Sequence, residues 1–185
     1  MTDVDNIITI FLTVIILLGI FGLIYILSYN NLQAHKIKIN EAEGIIDELL
    51  RKKYDLLEIL KQIIMDNTDI KEKTFEPFSK LREVNISSFD LERKLTEYNN
   101  LINQIKTDHS TLVDTEAFND NFEEIYELNE RLEASKTFYN RYTSLLNKLI
   151  KRFPSNIIAK IHHIEVQTFF DGKNMFDEDK EDFKL

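Results

Sequence analysis

Cysteine is missing from this chain. That excludes disulfides, thiolate catalysis and cysteine-based zinc or iron–sulfur sites. It leaves the compartment open, because a reducing cytosol needs no cysteine and an exported protein can lack it too. Turn-formers are scarce: 2 prolines and 4 glycines in 185 residues. A β-sandwich needs many more places to reverse direction, so long helices with few loops are expected. Positive charge is also in short supply. Lys and Arg number 23 against 32 Asp and Glu, a formal net charge of −9. Such a chain is a poor nucleic-acid binder, since phosphate contacts need clustered Lys and Arg. There is no GxxxxGK[ST], GxGxxG or HExxH, and the acidic run DEDKED lacks the glycine and spacing of a calcium loop.

What the chain does have begins at Ile7. From there to Leu27 no residue is charged, and at about 1.5 Å per residue the run spans about 31 Å, the thickness of a hydrocarbon core. A cleaved signal peptide competes with a retained transmembrane helix. It fits worse: Asp3 and Asp5 stand where Lys or Arg belongs, the apolar run is too long, and no small-x-small cleavage site comes after it. Tyr25 and Tyr29 are placed for one interface. Lys36, Lys38, Arg51, Lys52 and Lys53 lie beyond the run, so the amino terminus is expected outside and the bulk of the chain in the cytoplasm. Gly19 and Gly22 are three apart, which is not the spacing of a GxxxG dimer face.

The helix need not stop after the span. Ser28 to Ile70 holds no proline and one glycine, Gly44, with Ala42, Leu49, Leu56, Ile63 and Ile70 recurring every seventh residue beside Ile39, Ile46 and Leu60. A break is expected between about Thr74 and Pro77, then a short helix to Val84. Ser87 or Ser88 caps the next helix, whose stripe is Leu91, Leu95, Tyr98, Ile102, Ile105 and Leu112, with His109 on the same line. Thr111 to Thr115 is a short link, which makes its neighbours antiparallel, and Thr115 caps the helix after it. That helix carries the longest seam: Phe118, Ile125, Leu132, Tyr139, Leu146 and Phe153 repeat every seven residues, over roughly 54 Å, until Pro154 ends it. Ser155 can cap a last helix, SNIIAKIHHIEVQTFF, before an acidic tail expected to be loose.

The motifs sit on that last third. Phe138-Tyr139-Asn140 is followed by Asn147, then Phe153-Pro154-Ser155-Asn156, then Phe169-Phe170. Further up, Tyr29-Asn30 follows the span and Arg51-Lys52-Lys53-Tyr54-Asp55-Leu56 resembles an RRxDL element. Together these closely resemble the LemA family of bacterial membrane-anchored proteins, over about Tyr29 to Asp171. Glu58 stands where the family often has proline, and the usual tryptophan of the first soluble helix and a later His-Glu pair are not found. The resemblance implies an all-helical antiparallel bundle, an outside amino terminus, a cytoplasmic bulk and no established catalysis. Tyr139 lies on the seam, Phe153 closes it, Asn140 and Asn147 share a face one heptad apart, and Asn156 can bond near the turn. These read as structural residues first.

The expected organisation is all-α: residues 1–6 outside, a transmembrane helix at 7–27, an antiparallel bundle of about four long helices over 28–170, and the tail 171–185. The preferred function is a non-enzymatic scaffold, anchored through Ile7–Leu27, for unknown protein partners or self-association, with no cofactor and no nucleic acid. One alternative is a metal-dependent module using His162 and Glu165, three apart on a helix, or His109. His163 cannot join His162 on one ion, since helical neighbours point about 100° apart. The other alternative is an outward-facing receptor or adhesin.

Overall fold

The computed structural model describes residues 2–81 and 86–171. Among these residues lie four α-helices: α1 (Thr2–Asn67), α2 (Ser88–Asp108), α3 (Glu116–Lys151) and α4 (Ser155–Ile161). Two 3-10 segments, Glu72–Phe78 and Ser110–Asp114, join them, and there is no strand among the described residues. The all-α expectation holds, and so does the run-on from apolar segment to amphipathic helix: α1 is continuous through Ser28 and Gly44. The described residues form two compact units, one of residues 40–139 and 170–171, the other of 2–39 and 140–169.

The unit of residues 40–139 carries the larger core, with Ile46, Leu50, Leu57, Leu60 and Ile64 of α1 packed with Leu95, Tyr98 and Ile102 of α2 and Phe118, Ile125 and Leu132 of α3. Ser87 caps α2 as expected: its hydroxyl oxygen accepts the Asp90 N–H at 3.1 Å. The α2–α3 pair is antiparallel, since Lys136 meets Glu92 near the start of α2 and Lys106 lies over the Phe122 ring near its end. The α1–α2 pair is parallel instead. Asp47 accepts from Ser88 and, eleven residues on, Glu58 accepts from Tyr98. The segment after α1 makes this possible by carrying the chain back before α2 begins.

That segment starts earlier than expected. Helix α1 ends at Asn67, not near Thr74. Asn67 and Thr68 turn their side chains onto the Ile63 and Ile64 carbonyls, and such short polar side chains compete with helix continuation. Pro77 lies inside the 3-10 segment, whose Phe75 and Phe78 are buried against Tyr98, Phe78 stacked on it at 4.5 Å. The short helix expected to reach Val84 runs into residues 82–85, outside the described residues.

The seam follows the heptads at first and then drifts. In α1 Ala42, Leu49 and Leu56 are buried, as are Ile39, Ile46 and Leu60, and Ile64 takes over from Ile63 further on. Ile63 and Ile70 are only half-buried. An α-helix drifts about 20° per seven residues, so long straight contacts follow an eleven-residue repeat. In α3 the same drift leaves Tyr139 half-buried and puts Thr143, eleven after Leu132, fully inside. Phe153 does not close the seam. Helix α3 stops at Lys151, and Phe153 is 73% exposed in the turn beyond.

Candidate functional site beside the apolar run

In the unit of residues 2–39 and 140–169, the apolar run lies on the surface: every side chain from Ile7 to Leu27 is exposed. α1 is long and apolar enough there to cross a membrane. Near the end of the run, Phe21, Ile24 and Tyr25 line a hollow of about 490 Å³ with Phe153, Pro154, Ile157 and Ile158. The residues FPSN therefore sit beside the apolar run. The Phe153–Pro154 peptide is cis. Asn156 is exposed, its amide oxygen accepting the Ile157 N–H at 2.9 Å.

Ser155 does not cap α4. It is the first helical residue and buried, and Pro154 holds the cap position. Nor does α4 run on to Phe170. His163 takes a left-handed conformation (φ 50°), its N–H bonds the Lys160 carbonyl, and the Ile164 N–H bonds the Ala159 carbonyl at 2.8 Å. This is the Schellman arrangement that closes helices, with Ile164 and Ala159 both buried as its apolar contact. Beyond it the chain has no regular structure to residue 169. Asn147 holds this returning segment: its amide N–H donates to the Gln167 carbonyl at 2.7 Å and its amide oxygen accepts the Gln167 N–H at 2.9 Å. The heptad partner Asn140 is half-buried, about 20° away around the helix. Asn147 thus serves an irregular returning segment of chain, not a neighbouring helix.

His162 is the cap of α4, exposed, with Nε2 and the Tyr25 hydroxyl sharing a hydrogen bond at 2.6 Å and the Tyr29 ring 4.6 Å from its own. Glu165 lies past the left-handed turn and is exposed. The three-residue helical spacing that would join them is absent, because α4 ends at Ile161. His109 caps the end of α2, half-exposed. Among the described residues no three His, Asp or Glu side chains gather where they would hold a metal ion.

The other unit holds a charged cluster. Lys136 pairs with Glu92 at 3.2 Å and with Glu133. Burial lowers the Lys136 pKa, but these two carboxylates outweigh it and the net direction is up. Lys53, 3% exposed, sits in the same field, and there burial wins over Glu92, with Lys136 adding to the depression. Tyr98, buried beside the Glu58 carboxylate, is pushed above the ordinary phenol range. Phe170 plugs in nearby, edge-on to Phe89 and Tyr139, each at 6.2 Å, with the Lys136 ammonium 5.7 Å from its ring. Phe138 lines a shallow hollow with Ala42, Ile45 and Ala134. Charge balance and aromatic packing are what this cluster supplies. Sequence reasoning missed Lys53 and the Tyr25–His162 contact. Lys53 stands seven after Ile46 and seven before Leu60, so spacing alone puts it on the buried stripe and only its charge argues against it, while nothing local marks a contact 137 residues apart.

The family model that matches is described as the LemA family and covers residues 42–183. It begins later than Tyr29 and runs past Asp171. Neither a curated protein nor a solved structure matches the chain.

Proposed function

The chain belongs to the LemA family, and on that premise we propose a membrane-anchored, non-enzymatic helical bundle. It presents its cytoplasmic part to protein partners, or to further copies of itself, at the inner face of a bacterial cell membrane. The observation that carries this reading is α1: one helix contains both the uncharged, fully exposed run Ile7–Leu27 and the buried stripe Ile46–Ile64 of a packed core. An exposed apolar run of this length is costly in water and stable in hydrocarbon. Lys36 and Lys38 come just after the run, as the cytoplasmic side of a span requires. Asn147 and the motif residues around Phe153 support it by serving structure and surface.

Crosslinking in living cells, followed by membrane extraction and mass spectrometry, tests the proposal. A reproducible partner or a homo-oligomer in the carbonate-resistant membrane fraction is expected. Recovery of the chain in the soluble fraction would overturn the anchor. Calorimetric binding of zinc by the full-length protein in detergent, abolished in His162→Ala, would replace the scaffold reading with a metal-dependent one.

A further inference from the structure

The α3–α4 turn and helix α4 carry a row of apolar side chains on their outer surface. Phe153, Ile157 and Ile161 stand four residues apart and are 73%, 51% and 58% exposed. Exposed aromatic and aliphatic groups in such a row signal something that covers them. Two further observations say what. The first is charge. From Ala134 to Ile164 the sequence has no Asp or Glu and six Lys or Arg, in a chain whose acids otherwise outnumber its bases. Of these, Lys148, Arg152 and Lys160 are exposed and flank the stripe. The second is depth. Phe153 and Ile157 share their hollow with Phe21, Ile24 and Tyr25. Phe21 lies six residues inside Leu27, about 9 Å below the end of the apolar run. Interfacial apolar faces sit about 5–10 Å into the boundary between headgroups and acyl chains.

We propose that the α3–α4 turn and α4 together are a binding element for anionic phospholipid. Phe153, Ile157 and Ile161 enter the top of the acyl layer beside the span, and Lys148, Arg152 and Lys160 meet the lipid phosphates. The proposal rests on the reading of Ile7–Leu27 as a membrane span. A basic rim around an apolar row, continuous with an exposed apolar helix face, matches an acidic bilayer surface. A second copy of this chain, acidic overall, would match the rim in charge but not the row in depth.

The chain has no tryptophan, so one introduced tryptophan reports its own surroundings. The full-length protein is reconstituted in vesicles of phosphatidylglycerol and phosphatidylcholine brominated near the top of the acyl chain. Phe153→Trp and Ile157→Trp are compared with Leu12→Trp inside the span and Tyr126→Trp on α3, where the side chain is 64% exposed. Emission from Phe153→Trp and Ile157→Trp is expected to be quenched about as strongly as from Leu12→Trp, while Tyr126→Trp is unaffected. Replacing Lys148, Arg152 and Lys160 with Gln together is expected to reduce the quenching about twofold or more in phosphatidylglycerol and to leave it unchanged in pure phosphatidylcholine. Quenched Leu12→Trp with unquenched Phe153→Trp and Ile157→Trp overturns this proposal and leaves the anchor standing. If Leu12→Trp is also unquenched, the anchor itself fails. Phe153→Trp shielded from bromine and from aqueous acrylamide alike overturns it in favour of a second protein copy.

Discussion

Asn147 is buried one helical turn after the equally buried Thr143, and both ends of its amide are used, one as donor and one as acceptor to the Gln167 backbone. Asn147→Ala leaves that carbonyl and N–H unpaired and is expected to destabilise the chain by about 2 kcal/mol, read as a lower thermal midpoint by circular dichroism. The left-handed backbone of His163 is costly for a residue with a Cβ, so His163→Gly is expected to stabilise by about 1 kcal/mol in the same assay. Lys53 has the opposite problem, a charge taken out of water. Its depressed pKa means the unfolded chain binds more protons than the folded one between that pKa and the ordinary value of 10.5. Stability on its account therefore rises with pH through that window and is at its lowest below it. Lys53→Met is expected to raise stability at pH 7 and to remove the rise, measured by urea unfolding across pH 7 to 10. Lys136, raised by its two carboxylates, contributes stability that is lost as pH climbs through its own folded pKa.

The helices themselves show where sequence reading succeeds and where it stops. Ser87 with Asp90 marks the start of α2 correctly, because a cap is a local event. The end of α1 lies about seven residues before the expected break, because Pro77 is the loudest local signal and the side chains of Asn67 and Thr68 are quieter. The parallel α1–α2 pair is not legible. It depends on Phe75 and Phe78 reaching Tyr98, which no spacing announces. At the site, an unbroken count of sevens hides the exposure of Phe153, and His162 finds Tyr25 across 137 residues of sequence. Gly44 gives the element-scale test. It lies within α1, and a Cβ there meets nothing within 4 Å. Gly44→Ala is expected to stabilise the helix by about 1 kcal/mol, observed as a higher thermal midpoint with unchanged helical content.

For the whole chain, the lack of cysteine becomes a convenience. Single cysteines at Asp3 and Tyr126 report topology through a maleimide that does not cross membranes. Asp3→Cys is expected to react in intact cells and Tyr126→Cys only after lysis; the reverse pattern would make the protein a surface receptor or adhesin. Phe170 is seated between Phe89 and Tyr139, with the Lys136 ammonium 5.7 Å from its ring. A small side chain at that position would take the partner from two aromatic edges and expose the Lys136, Glu92 and Glu133 cluster beside it, so a single ring ties the apolar packing of this unit to its charge balance.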